Sequence, residues 1–240
     1  MRDSAVATDQ DTARDPVSIL AALLALTVVS GLVDAVSYLG LGHVFTANMT
    51  GNVVVLGFAA AGTPGFSVSA TLTSLGVFLV GAAAAGRAGR RITGRSRLLI
   101  TAMAAEAVLV GAAALIAFLA GTTPGWRRLT VIAVLALAMG MRNAAVRRLG
   151  IRDLTTTVLT QTLTGLAADS RFAGGSDPRA GRRIGAVACM LAGALAGAVL
   201  LRQVDAALPL LVAAVATTGT AVVFWAGPAG RGAAVEGSVS

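Results

Sequence analysis

The chain has 240 residues, of which 56% are hydrophobic and only 12% are charged. A soluble domain carries roughly 25% charged residues, so this composition excludes an ordinary soluble protein. Several apolar stretches reach the ~20 residues that a helix needs to cross a ~30 Å hydrocarbon core. The sequence therefore predicts an integral membrane protein whose main surroundings are the lipid bilayer.

The formal net charge is +8, and every basic residue is an arginine. In a soluble protein this excess would suggest nucleic-acid binding. Here the arginines concentrate in short loops at 87–97, 147–153 and 169–183. Cytoplasmic loops of membrane proteins carry such an excess, so we predict that these loops are cytoplasmic and expect no nucleic-acid partner. Loop 121–128 also holds two arginines and fits this pattern less well.

Apolar segments follow one another along the whole chain. They cover 17–40, 44–61, 67–86, 98–120, 129–146, 155–168, 184–202 and 206–226. All the prolines lie at segment ends or in loops, where helices tolerate them, so we predict that every segment is helical. The fold class is all-α, a polytopic transmembrane helical bundle forming one domain over 17–226. The polar ends, 1–16 and 227–240, are predicted to be disordered tails.

Catalytic and metal-binding residue types are scarce in this chain. Cys189 is the only cysteine and His43 the only histidine. An intrachain disulfide and a cysteine-based metal site are therefore excluded. The sequence contains no recognisable Ser/His/Asp set and no glycine-rich phosphate loop. We expect a protein that is not an enzyme and needs neither a metal nor another cofactor.

The second apolar segment opens with polar residues in "HVFTANMTGNVVVLG", residues 43–57. Its polar side chains are His43, Thr46, Asn48, Thr50 and Asn52. Asn and Thr are residue types that cap helix N-termini. A half-helix that starts here would point its positive dipole end into the protein, where it could hold a solute. The alternative is that these side chains only cap and join helices. The sequence leaves both interpretations open.

The two halves of the chain share a weak internal repeat. "GLVDAVSYLG" at 31–40 matches "GMRNAAVRRLG" at 140–150, with one residue inserted. Further on, "NMTGNVV" at 48–54 meets "VLTQTLT" at 158–164. The aligned pairs include Gly31 with Gly140, Asp34 with Asn143, Thr50 with Thr160, and Asn52 with Thr162. Each half then consists of a long helix, a short turn and a Thr-rich start to a second segment.

The basic loops and the repeat constrain the number of spans. If 44–61 and 155–168 both cross the bilayer, there are eight spans and one basic loop is forced outside. If neither crosses, six spans remain, both termini are cytoplasmic, and the halves 17–120 and 129–226 have inverted topology. A seven-span version, in which only 44–61 crosses, satisfies the charges but breaks the repeat. We predict six spans plus two re-entrant or half-helix segments.

The chain is long enough for a re-entrant path. Residues 44–50, extended at ~3.3 Å each, would descend ~23 Å from the outer surface. A helix over 51–61 would then climb back ~16 Å at ~1.5 Å per residue. This path reaches the midplane, where the second element, 153–168, would meet it from the inside. We therefore expect two half-helix N-termini to converge near the centre.

Two ionisable residues lie well inside predicted spans, Asp34 in the first and Glu106 in the fourth. Such residues are costly in a bilayer and are usually functional or paired. They are candidates for proton coupling or cation binding, and the alternative is a fixed ion pair with Arg142. The wider solute-binding or pore-lining set is Asp34, Ser37, Asn48, Thr50, Asn52, Asn143, Thr160 and Thr162.

At these same residues the chain resembles the YoaK-like family of uncharacterised bacterial inner-membrane proteins (domain of unknown function 1275). The strongest markers are Asp34-Ala35 and "MTGN" at 49–52, and the resemblance covers roughly 17–226. Two departures stand in the second half, where Arg142 replaces the usual Gln and Gln161 the usual Gly. The resemblance implies a multi-span protein of the bacterial inner membrane and supplies no substrate.

Two functions fit these observations. The first is a transporter or channel for a small polar or anionic solute. The second is a non-transporting membrane scaffold or accessory protein, and a homo-oligomer is compatible with either. A water-accessible cavity between 48–52 and 157–162 would favour transport, whereas a dry and fully hydrogen-bonded centre would favour the scaffold.

Overall fold

The computed structural model describes residues 17–150, 159–170, 174–175 and 180–227. Within these ranges the chain is entirely helical and contains no strand. The helices are α1 Val17–Gly40, α2 Met49–Ala60, α3 Val68–Ala88, α4 Arg95–Ala120, α5 Trp126–Leu149, α6 Leu159–Ala168, α7 Ala180–Gln203 and α8 Ala207–Ala226. The predicted tails, apart from Gly227, and the threonines at 155–157 lie outside the described residues.

Six of these helices are long and apolar enough to cross a membrane: α1, α3, α4, α5, α7 and α8. They contain 20 to 26 residues, which corresponds to about 30–39 Å at ~1.5 Å per residue. Helix α2 has 12 residues and α6 has 10, so they extend only ~18 and ~15 Å. A helix of that length cannot cross a ~30 Å core. The prediction of six spans with two short segments is therefore confirmed for the described part of the chain.

Large apolar side chains cover much of the outer surface of the bundle. Leu79, Phe118 and Val223 are each more than 60% exposed. On a soluble monomer such a continuous apolar surface would promote aggregation. Around a membrane bundle the same side chains face lipid tails, which are as apolar as leucine. The surface thus has the character expected of a multi-pass membrane protein.

The extensive helix contacts form a regular pattern. Helix α1 packs against α7 and α8, helix α3 packs against α5, and α4 packs against both α5 and α8. The short helices lie on the outside of two of these pairs, α2 against α3 and α6 against α7. The pattern is symmetric between the two halves of the chain. If α1, α2, α3 and α4 change places with α5, α6, α7 and α8 in that order, the same set of extensive contacts results.

Helices α1 and α7 approach until their backbones touch. A Cβ atom at Gly31 would collide with the Met190 carbonyl, and one at Gly193 would collide with the Val28 carbonyl. Each glycine therefore gives the opposite helix room that no other residue would leave. Close packing of this kind supports helix association in lipid, where no hydrophobic effect drives helices together.

Helices α3 and α5 meet in the same way. A Cβ at Gly140 would collide with the Phe78 carbonyl, and one at Gly81 with the Leu137 carbonyl. The spacing is the same in both helix pairs. Gly31 faces the carbonyl three residues before Gly193, and Gly193 faces the carbonyl three residues before Gly31; Gly140 and Gly81 are related in the same way. Gly81 and Gly193 therefore serve close helix packing, as Gly31 and Gly140 do.

The buried core consists of two apolar clusters stacked along the bundle. One includes Ile19, Leu99 and Met103, and the other includes Val36 and Leu210. Each of the helices α1, α4 and α5 contributes residues to both clusters. Where these helices pass from one cluster to the other they contain a polar or charged residue, namely Ser30, Glu106 and Arg142. Charged and polar groups therefore occupy the layer between two apolar regions near the middle of the spans.

Candidate functional site

A sharp reversal follows α1. The helix ends at Gly40, and Gly42 and His43 adopt positive φ angles of 96° and 60°. The chain then runs back along the helix that it has just left. The Phe45 ring stacks on Tyr38, with ring centroids 4.7 Å apart. The segment 41–48 is therefore irregular backbone that is largely buried in the bundle. Its buried N–H and C=O groups each need a partner.

Two side chains satisfy three consecutive amides of this segment. Asn52 accepts a hydrogen bond from the Phe45 N–H (2.8 Å) and donates one to the Phe45 carbonyl (2.6 Å). The Asp34 Oδ1 atom accepts the N–H groups of Thr46 (3.0 Å) and Ala47 (2.8 Å). Asp34 is 4% exposed and Asn52 is fully buried. Asp34 and Asn52 therefore bind the backbone of the polar segment that the sequence singles out.

Ser74 of α3 completes the arrangement around Phe45. Its hydroxyl donates to the Phe45 carbonyl (2.6 Å) and accepts a hydrogen bond from Asn52 Nδ2 (3.1 Å). Nothing in the sequence pointed to Ser74, because it is a single small polar residue within an apolar helix. The hydrogen-bonding groups of Asn52 thus face the loop and α3.

Helix α2 begins directly after this loop. Asn48 is its N-cap residue, and its Oδ1 atom accepts the Gly51 N–H at 3.3 Å. The capping role predicted for Asn48 is therefore confirmed. Asn48 and Thr50 are both exposed, in contrast to the buried Asn52 one turn later.

The path of α2 is re-entrant but shallower than predicted. The His43 Nδ1 atom lies 2.9 Å from the Gly65 carbonyl oxygen, so the chain leaves and returns at one end of the bundle. Its innermost contact is with Asp34, six residues or ~9 Å before the end of α1. The predicted descent of ~23 Å to the midplane is therefore wrong, because Asp34 and Tyr38 bind the returning chain well before the centre.

A buried ion pair contacts Ser30 of α1, which lies one helical turn before Asp34. Arg142 Nη1 donates to Glu106 Oε1 (2.9 Å) and to the Leu26 carbonyl (3.1 Å), while Nη2 donates to Ser30 Oγ (2.5 Å). Glu106 is fully buried and Arg142 is 3% exposed. Of the two roles considered for Glu106, the pair with Arg142 is present in the structure, and it connects α1, α4 and α5.

Three buried oxygen atoms of this region have no hydrogen-bond partner within the described parts of the chain. They are Asp34 Oδ2, Thr46 Oγ1 and Glu106 Oε2. Buried polar atoms are nearly always hydrogen-bonded, so such atoms indicate a missing proton, water or ligand. The site therefore has unused hydrogen-bonding capacity at both of its carboxylates.

Comparison with known proteins agrees with this architecture. The sequence model of the family described as "Protein of unknown function (DUF1275)" matches residues 22–223. The chain belongs to this family. It is 37% identical over 154 residues to the "UPF0700 transmembrane protein YoaK" of Bacillus subtilis (strain 168), an alignment that covers 62% of this chain and 65% of that protein. No solved structure matches the chain.

The resemblance found in the sequence motifs is thus confirmed, and this DUF1275 protein is a multi-pass membrane protein. The aligned region spans about 65% of the curated relative's length. The family description and the relative's name give no activity or substrate. Any function of this DUF1275 member must therefore be argued from its own residues.

The candidate residues of the second half lie on α5 and α6. The Asn143 amide donates to the Met139 carbonyl at 2.8 Å. On α6, Thr162 is buried at 1% exposure whereas Thr160 is exposed. Helix α6 packs against α7, and α2 packs against α3. The predicted convergence of the two half-helix N-termini is absent from the extensive contacts of the described residues.

A cleft of about 260 Å³ opens at the Gly40 end of α1 in this DUF1275 protein. It lies between the start of the re-entrant loop, the start of α3 and the start of α5. Its lining includes Leu41, Gly42, Ser67, Ser69 and Arg128. Arg128 also donates to the Thr122 carbonyl at 3.2 Å. The cleft therefore joins one arginine and two hydroxyls to the loop whose other end is bound by Asp34.

Proposed function

We propose that this protein is a transporter or channel for a small polar or anionic solute in the bacterial inner membrane. The observation that carries the proposal is the irregular segment 41–48, whose residues Val44, Thr46 and Ala47 are buried and whose backbone is bound by one oxygen of the Asp34 carboxylate while the other has no partner. Irregular backbone at membrane depth occurs where protein buries it or where it lines a cavity. Transporters build their sites from interrupted helices with such ionisable residues.

The cleft at the Gly40 end of α1 supports an anionic or polar solute. Arg128 provides a guanidinium, which binds carboxylate and phosphate groups in two-point geometry. Ser67 and Ser69 add hydroxyls on the α3 side. A solute that enters here would lie beside Leu41 and Gly42, at the start of the loop that leads to Asp34. This position suits an outer vestibule.

An inverted repeat is part of the same proposal. Each half contributes three spans, α1, α3 and α4 in the first and α5, α7 and α8 in the second. An odd number of spans in each half places the second in the opposite orientation. Two observations support the repeat: the helix contacts are preserved when the halves are exchanged, and the glycine contacts of α1–α7 and α3–α5 have the same spacing. Many transporters use repeats of this kind for alternating access.

A non-transporting scaffold is the second candidate. It is favoured by Asn52 and Ser74, which bind the Phe45 peptide group and so serve the architecture of the loop. In this view the polar constellation fixes helix packing and nothing crosses the membrane. The two candidates differ in a measurable property, solute flux.

The test is flux through the full-length protein in liposomes, measured with a panel of small neutral, anionic and zwitterionic solutes. We expect one solute class to cross faster than in empty liposomes. Asp34→Asn keeps an oxygen for the two loop amides but removes the ionisable carboxyl group, and Asn52→Ala releases Phe45. Each is expected to reduce flux about tenfold, the effect of ~1.4 kcal/mol on a barrier.

The matched control is Thr220→Ala, which alters an exposed threonine of α8 whose hydroxyl bonds only to its own helix at Ala216. It should leave flux unchanged. Absence of flux for every solute class, with protein that is correctly folded and inserted, would overturn the transport proposal and favour the scaffold.

A further inference from the structure

We propose that the buried group formed by Asp34, Glu106 and Arg142 holds one exchangeable proton, bound at Asp34 Oδ2. As a coupling ion this proton rests on the proposed transport function. As a bound proton it rests on the geometry and charge of the described residues alone.

The charged side chains buried in the spans do not balance. More than one turn from their ends, the six spanning helices contain only three residues of charged types, Asp34, Glu106 and Arg142. With both acids ionised this group carries one net negative charge. All three side chains are at most 4% exposed. An uncompensated charge at that burial is strongly unfavourable, so one bound cation is needed to neutralise the group.

The two acids differ in their charged partners. Glu106 already has a direct ion pair with Arg142 at 2.9 Å. Asp34 forms no ion pair within the described ranges. Ser30, which binds Arg142, lies four residues before Asp34 on the same face of α1, roughly 5–6 Å away. Arg142 therefore attracts Asp34 only over a longer distance. The acid left to be neutralised is Asp34.

The surroundings of Asp34 provide no other charged partner. Helix α1 packs against α7 and α8. Helix α8 has no ionisable residue, and α7 has its arginines in the first and last turns, with Cys189 as its other titratable group. On the loop, His43 is bound to the Gly65 carbonyl. Arg142 remains the basic residue that acts on Asp34 within the described chain.

The cation lies at Asp34 Oδ2. This oxygen is buried and has no partner among the described residues, whereas Oδ1 accepts the Thr46 and Ala47 amides. A proton binds to a single oxygen, whereas metal cations require a many-ligand oxygen cage. The free oxygen of Asp34 therefore suits a proton.

The proton on Asp34 affects the loop. Asp34 binds the proton with one oxygen and the Thr46 and Ala47 amides with the other. Loss of the proton therefore leaves an uncompensated negative charge beside the irregular segment. The start of that segment, Leu41 and Gly42, lines the cleft. Protonation at Asp34 and the shape of the cleft are thereby connected through eight residues of chain, 41–48.

The experiment is infrared spectroscopy of the full-length protein in lipid nanodiscs, observing the C=O stretch of protonated carboxyl groups. At about pH 7 ordinary Asp and Glu side chains are ionised and give no such band. We expect one band in the wild type, which weakens as the pH is raised. Asp34→Asn should remove it, and exchange into D₂O should lower its frequency, because the bound proton is exchangeable.

The matched control is Thr27→Ala, because Thr27 is a buried hydroxyl of the same helix whose Oγ1 donates to the Leu23 carbonyl. It should keep the wild-type band. Size-exclusion profiles establish that each variant is folded. If Asp34→Asn fails to fold, ¹³C labelling of the aspartate carboxyl groups in the wild type provides the test, because it should lower the frequency of the band.

Three results would overturn the proposal. They are a wild type without the band, a band that persists in folded Asp34→Asn, and a band that added Na⁺ removes at constant pH, which would make the bound cation a metal ion. Flux measurements remain separable: the band without flux rejects transport and keeps the proton, and flux without the band does the opposite.

Discussion

Asp34 and Asn52 explain why an apolar chain places carboxylate and amide side chains beside a membrane span. Between them they bind the N–H groups of Phe45, Thr46 and Ala47. Each unsatisfied backbone group in hydrocarbon costs several kcal/mol, so a loop of irregular backbone requires such partners. The polar residues are therefore first a condition for the re-entrant turn. Of these two residues, Asp34 retains capacity for another role through its second oxygen.

The Glu106–Arg142 pair permits a test of stability at the residue scale. Arg142→Gln removes the cation and leaves two buried acids, so we expect unfolding free energy to fall by about 3–5 kcal/mol. Adding Glu106→Gln should recover most of this loss, because two neutral amides replace the pair. Reversible unfolding in mixed micelles, arranged as a double-mutant cycle, measures both values. A double variant as unstable as Arg142→Gln alone would show that Glu106 is not its main partner.

The sequence predicted individual polar residues better than their partners. Asp34, Asn48, Asn52 and Glu106 were recognisable because polar side chains in an apolar segment need a reason. Ser74 was not, since a single serine in a span is common and its contact with Phe45 depends on how α3 packs. Partners of this kind depend on tertiary geometry, which residue type and spacing do not determine.

At the scale of elements, length and hydrophobicity determined most of the fold. Six segments long enough to cross a bilayer were predicted and are present as helices. The depth of the re-entrant loop was overestimated because an extended chain of 44–50 could reach the midplane. In the structure the chain is bound early, by ring stacking on Tyr38 and by the Asp34 carboxylate. Reach sets only an upper limit, and specific contacts decide where a chain turns.

The glycine contacts give a prediction for the helix pairs. In Gly31→Ala and Gly140→Ala the added methyl meets a backbone carbonyl of the opposite helix, so the helices must separate. We expect each change to cost about 1–3 kcal/mol, as overpacking does, and by similar amounts because the two contacts have the same geometry. Thermal unfolding in detergent measures the effect.

Gly76→Ala is the matched control, since a Cβ there has open space in α3. It should be neutral or stabilising by up to about 1 kcal/mol, the difference in helix propensity. If Gly31→Ala proves as stable as Gly76→Ala, the backbone contact between α1 and α7 is looser than described. Unequal effects at Gly31 and Gly140 would weaken the proposed repeat.

At the scale of the whole molecule, arginines are unequally distributed between the two ends of the bundle. The connection between α3 and α4 contains arginines in and beside 89–94, while the opposite end, where α2 returns to the bundle, has loops with few charges. Arginine-rich loops remain in the cytoplasm during insertion. With six spans the start of α1, the end of α8 and this connection lie on one face, and the cleft with Arg128 opens on the other. The proposed orientation therefore exposes the cleft to the outside of the cell.

This orientation can be tested with single cysteines in a Cys189→Ser background. Thr63→Cys lies between α2 and α3, and Arg90→Cys lies between α3 and α4; both positions are exposed. Because α3 spans the bilayer, the two must lie on opposite faces. We expect a membrane-impermeant maleimide to label position 63 in intact cells and position 90 only after permeabilisation. The reverse pattern would invert the protein and make the cleft cytoplasmic, whereas labelling of both from one side would mean that α3 does not span.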